Sequence, residues 1–106
     1  MAKAEIHPGN CGFTTSVEAI MDDDTCKLVI TSDCAAIQKL AQELKEVNPY
    51  QQISFRRNNT PQILQMGAKY CTHAACPVPV GIIKVVEVAA GLALPMDVTI
   101  QFTESS

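Results

Sequence analysis

Between Val80 and Leu94 the chain carries Ile82, Ile83, Val85, Val86, Val88, Ala89, Ala90 and Leu92, with only Lys84 and Glu87 as charged interruptions. A helix apolar around most of its circumference is stable only when other elements cover it. In a chain of 106 residues, one such helix claims most of the available core, so the remaining segments are read as its cover. Pro77 and Pro79 mark its start, because the first turn of a helix tolerates proline.

The N-terminal third has the period of strands. Lys3 to His7 alternates, with Ala4 and Ile6 on one face. Pro8-Gly9-Asn10-Cys11-Gly12 is turn chemistry and leaves Cys11 in a loop. Phe13 to Met21 alternates again, placing Phe13, Thr15, Val17, Ala19 and Met21 on one side. Asp22-Asp23-Asp24-Thr25 is a solvated turn, since the spaced oxygen ligands that a hard cation requires do not follow it. Cys26 to Thr31 is the third strand, and Cys26 shares a face with Leu28 and Ile30, as a small buried hydrophobe would.

The period then changes. Thr31-Ser32-Asp33 offers N-cap residues for a helix from Cys34 to about Val47, whose stripe is Ile37, Leu40, Ala41, Leu44 and Val47. Asn48-Pro49 stops it, and residues 48–59 form a connection with a short extended piece at Ile53 to Phe55. Arg56 and Arg57 within it are surface charge. Thr60-Pro61 opens a second helix that runs through Ile63, Leu64 and Met66 to about Tyr70. After Pro95, the alternation of Val98, Ile100 and Phe102 with Asp97, Thr99 and Gln101 predicts a closing strand, followed by a frayed end. Three strands, three helices and one strand define an α+β fold in a single domain, residues 1–106. The expected architecture is a two-layer sandwich, an antiparallel sheet covered on one face by helices.

With 47% hydrophobic and 18% charged residues the chain has the mass for one core. A net charge of −3, with Lys and Arg totalling 8, supplies no electrostatic footprint for nucleic acid or an anionic membrane. The N-terminus lacks the apolar region of a secretion signal, and no apolar run reaches the roughly 18 residues of a membrane span. A cytoplasmic protein is expected.

In a reducing compartment the five cysteines point to metal binding or redox chemistry rather than a disulfide framework. Cys71-Thr72-His73-Ala74-Ala75-Cys76 sets two thiols and an imidazole just ahead of the last helix, whose positive end favours thiolate. Cys34 stands similarly at the start of the first helix. Cys11, Cys34, Cys71 and Cys76 together would suit zinc or an iron-sulfur cluster, with His73 able to replace one thiolate. His7, beside the Cys11 loop, is a further candidate.

These residues resemble the cysteine pattern of the iron-sulfur cluster assembly scaffolds of the IscU and NifU N-terminal type. In that family three antiparallel strands precede the helices, and three cysteines with a histidine hold a metal or nascent cluster. The first lies in a Cys-Gly loop, as in Cys11-Gly12. The second opens a helix after the third strand, as in Ser32-Asp33-Cys34-Ala35-Ala36-Ile37, and the third opens the last helix, as does Cys76 with His73 before it. The similarity covers about residues 3–94. Phe13 stands where the family has an acidic residue, Ala74 and Ala75 separate His73 from Cys76, and Cys71 has no family counterpart. The resemblance implies a scaffold for zinc, iron or an iron-sulfur cluster, served by sulfur-donor or acceptor proteins. A persulfide carrier or thiol-redox protein using Cys34 or Cys76, and a purely structural zinc, are the alternatives. No Ser, His and Asp signature, paired-carboxylate motif or cofactor fingerprint supports turnover, so a binding protein rather than an enzyme is expected.

Overall fold

The computed structural model of the chain describes residues 1–55 and 59–104. Its strands are β1 (Ala2–Ile6), β2 (Thr15–Asp22), β3 (Thr25–Ser32) and β4 (Glu46–Val47), and its helices are α1 (Ala35–Glu43), α2 (Gln62–Tyr70) and α3 (Val78–Ala89). The strands form one antiparallel sheet in the order β1-β2-β3-β4. Period-two burial carries Val17, Ala19, Cys26 and Leu28 into the core, while Val29 on the opposite face is 55% exposed. The inward positions Thr15, Val17 and Ala19 and the buried Cys26 are therefore as expected, whereas Phe13, expected on the same face, precedes the strand and is 46% exposed.

The helices cover that inward face. α1 lies against β3, α3 lies against β1 and β2, and α2 packs on both other helices. Ile37, Leu40, Leu44, Ile63, Val78, Ile82, Val85 and Val86 join the strand residues in one core. At two glycines a neighbouring side chain fills the space a Cβ would take. A Cβ on Gly67 would meet the Pro79 ring at 2.6 Å, and one on Gly81 would meet Ile6 of β1, with Cγ1 at 2.8 Å.

Three expectations on element boundaries are corrected. α1 ends at Glu43 rather than near Val47, and the chain turns so that Glu46–Val47 pairs with Cys26 and Lys27. Val47 is still buried, but in a strand, because it reaches the core by pairing as well as by helical spacing. α3 runs Val78–Ala89 and is buried along one face rather than all round; Val80, Leu92 and Leu94 are exposed. The closing strand over Asp97–Phe102 does not form, and residues 91–104 are exposed and irregular. Alternation makes a segment competent to pair, but a strand exists only where a partner strand supplies its hydrogen bonds. The fourth strand of the sheet is thus the short β4. Arg56 and Arg57 lie outside the described residues.

The start of α2 depends on a residue eleven positions away. Its N-cap is Pro61, whose side chain caps nothing. Instead the Ile63 N–H donates to Gln52 Oε1 at 3.0 Å, and Gln52 Nε2 donates to the Asn48 carbonyl at 3.3 Å. Gln52 is only 2% exposed, so its loss would strand a buried donor. We expect Gln52→Ala to destabilise the fold by about 1–3 kcal/mol in urea titration. Equal stability of Gln52→Ala and the parent would refute this capping role.

Candidate functional site

One end of the sheet gathers the candidate residues. The pairings Ile6 with Thr15 and Thr15 with Ser32 bring the β1–β2 loop and the β3–α1 junction to the same end. Ile6 also abuts Gly81 in the first turns of α3. The starts of α1 and α3 and the Cys11 loop therefore share this end of the molecule.

Cys34 is held by a hydrogen-bonded relay. Thr15 Oγ1, fully buried, donates to Ser32 Oγ at 2.8 Å, and Ser32 Oγ accepts the Cys34 N–H at 3.1 Å. Cys34 is itself the N-cap of α1, in extended conformation, and its carbonyl accepts the first helical bond from the Gln38 N–H at 2.9 Å. Thr31-Ser32-Asp33 was expected to cap the helix. Ser32 instead fixes the backbone of the residue that does. Thr15 and Ser32 are positioning residues that sequence periodicity alone did not reveal, although their cross-strand register was a readable signal.

Cys71 closes α2 as its C-cap, with its N–H donating to the Gly67 carbonyl at 2.8 Å. The turn that follows returns the chain, the Cys76 N–H donating to the His73 carbonyl at 3.2 Å, and α3 begins two residues later. This return brings the Cys71 and Cys76 thiols into hydrogen-bonding contact, with Cys34 close enough to act on Cys71 electrostatically. Burial pushes the Cys71 thiol up to about 11, and the Cys76 and Cys34 sulfurs beside it push in the same direction. Adjacent sulfurs oppose one another's ionisation, so at neutral pH Cys71 is held as a thiol. All three are half-buried against the core. Cys26 is fully buried in the sheet, and desolvation raises its thiol too, as fits a packing residue.

The remaining candidates stand apart. Cys11 is exposed in its loop, where the Gly12 N–H donates to the Gly9 carbonyl at 3.0 Å and both glycines have positive φ. It lies at the correct end of the sheet but not in the thiol cluster. His73 is exposed. His7 Nδ1 lies 3.2 Å from Thr14 Oγ1, and its Nε2 lies 3.6 Å from Glu5, beyond hydrogen-bond distance, on an exposed part of the surface. Among the described residues, no three His, Cys, Asp or Glu side chains form a group set to hold a metal ion. The contact pair Cys71–Cys76 with Cys34 as a nearby third is thus a thiol cluster but not a closed ligand set.

A surface network pins α1 to α2 next to this cluster. Glu43 accepts from Tyr70 and from Lys69 Nζ, the latter at 3.3 Å, and these bonds hold its carboxyl below the usual range. The group is solvent-exposed and contributes little to stability.

The described residues form a mixed α+β fold: a four-stranded antiparallel sheet with three α-helices. The chain belongs to DUF6951, a family of unknown function, whose model matches residues 2–102. No curated protein and no solved structure matches it. Among the described residues no helix is long and apolar enough to cross a membrane.

Proposed function

We propose that the chain is a thiolate scaffold for a soft metal ion or a small iron-sulfur unit, carried as cargo by Cys34, Cys71 and Cys76. One observation carries this reading: Cys71 and Cys76 share a hydrogen bond and the Cys34 sulfur acts on the same thiol, all three half-buried at helix ends. Packing alone gives little reason to gather three of the five thiols there. The donor chemistry fits, because soft sulfur ligands select zinc, copper(I) or iron-sulfur units over hard cations.

The arrangement has work left to do on binding. Cys71 and Cys76 already share a hydrogen bond, so a thiophilic ion binding between them displaces both thiol protons to water and offsets the repulsion of the two sulfurs. Cys34, whose sulfur acts on Cys71 and whose backbone is held by the relay from Thr15 and Ser32, is the third sulfur of the set. Cys11 can supply a fourth sulfur only if its loop folds over the cluster; the two positive-φ glycines give that loop its turn. His73, in the turn between Cys71 and Cys76, is the nitrogen alternative. The resemblance to cluster scaffolds supports the same reading, with sulfur donors or acceptors as partners.

The direct Cys71–Cys76 contact favours one other reading, a dithiol couple. Two thiols would lose two protons and two electrons to a disulfide oxidant and become a Cys71–Cys76 disulfide. Anaerobic purification with metal analysis, sulfide analysis and absorption spectra separates the two. Near-stoichiometric zinc, copper or iron, with charge-transfer bands where iron is present, supports the scaffold. A metal-free chain that takes up none of these ions and cycles reversibly through a 71–76 disulfide overturns it in favour of the couple.

A further inference from the structure

The fourth strand of the sheet is unfinished. β4 pairs with β3 over only Glu46 and Val47, and the ladder ends where the Leu28 N–H donates to the Lys45 carbonyl at 2.8 Å. By pleat alternation Ile30 and Ser32 point their backbone groups to this same edge. The Ser32 carbonyl is met by Gln38 Nε2 at 2.9 Å; among the described residues no strand lies beside Ile30. Between this edge and α1 runs an open groove of about 440 Å³, lined by Leu28, Ile30, Ser32, Gln38, Ala41 and Lys45 among others.

The same chain carries a strand-competent segment without a sheet. In Asp97–Phe102, Val98, Ile100 and Phe102 are 65%, 84% and 92% exposed. Six extended residues reach roughly 20 Å, enough to run past the open part of β3. We propose that Asp97–Phe102 of one copy docks as a strand in this groove of a second copy, beside β3 and in line with β4, so that two chains exchange C-terminal segments.

The chemistry of the two surfaces agrees. A strand in this position turns alternate side chains to opposite faces. Val98, Ile100 and Phe102 fall on the helix side, next to Leu28, Ile30 and Ala41. Asp97, Thr99 and Gln101 fall on the open side, next to Val29 and Thr31. Lys45 at the groove offers a positive group to a segment bounded by Asp97 and Glu104. Docking extends a ladder that β4 has already begun, and it removes both an open sheet edge and an exposed apolar stripe, features that soluble proteins seldom leave uncovered. In the single copy the segment runs free of the groove, every residue from 91 to 104 being exposed. A second copy satisfies both surfaces at once.

The test uses the full chain in light scattering coupled to size exclusion, over a concentration series. The parent is expected to have the mass of two chains. The double variant Ile100→Asp/Phe102→Asp, altered only at exposed positions, and Ala41→Arg, which fills the groove from α1, should both shift to single chains with unchanged circular dichroism. For the double variant the dimer dissociation constant should rise by roughly a hundredfold or more, as two buried apolar anchors become charged. A parent that is monomeric at every concentration overturns the proposal, including the case where its Val98–Phe102 amides are protected from exchange because its own segment fills the groove. A double variant that remains fully dimeric overturns it as well.

Discussion

Cys76→Ala is expected to abolish most of the bound metal, with content falling at least about tenfold below the parent, while the chain stays folded. Cys76 is half-buried at the start of α3 and touches Cys71, so its removal deletes one sulfur and leaves the other without a partner. Losing one of three soft ligands costs more than losing a group in a supporting position, where effects of 10–100-fold are typical. Cys34→Ala and Cys71→Ala should behave alike, and Cys26→Ala should leave metal content unchanged, because Cys26 is fully buried within the sheet. Cys11→Ala is the informative intermediate. Loss equal to that of Cys76→Ala would mean that the loop closes over the cluster as a fourth ligand; no loss would leave the site with three sulfurs or with His73. Equal loss in all five variants would instead report general destabilisation and sink the assignment. Metal per folded chain, by elemental analysis beside circular dichroism, is the measurement.

What sequence could convey about this site followed from where its residues fall on elements. Cys34, Cys71 and Cys76 lie at helix ends, as the turn and cap residues around them indicated. The surroundings of His7 were half legible: Glu5 precedes it by two residues on the same face of the chain, whereas Thr14 reaches it only because the β1–β2 connection folds back. Gln52 was invisible as a cap because its partner lies eleven residues away. The inward faces of β2 and β3 were readable from period two, as each has one face on the core. The same period misled at Asp97–Phe102, where the pattern records what the segment can do and no strand among the described residues pairs with it. At the end of α1 two patterns competed. Val47 fits the helical stripe, yet pairing with Cys26 buries it equally well and adds ladder hydrogen bonds.

Ile82→Ala should have the largest effect on stability, about 3 kcal/mol and within the 2–5 kcal/mol range for emptying a fully buried aliphatic position. Ile82 is 0% exposed on α3, the helix that packs against β1, β2 and α2. The approach of Pro79 to Gly67 and of Ile6 to Gly81 fixes α3 from two sides, so the helix has little freedom to settle into a cavity. Incomplete collapse is what raises the cost of such substitutions. For a domain of this size the loss corresponds to a fall in Tm on the order of 12–24 °C, against a total stability of about 5–15 kcal/mol. Val29→Ala, on the open face of the sheet, should change stability by less than about 0.5 kcal/mol. Chemical denaturation of both variants beside the parent provides the measurement. If Ile82→Ala cost no more than Val29→Ala, α3 would not be the helix around which this core is built.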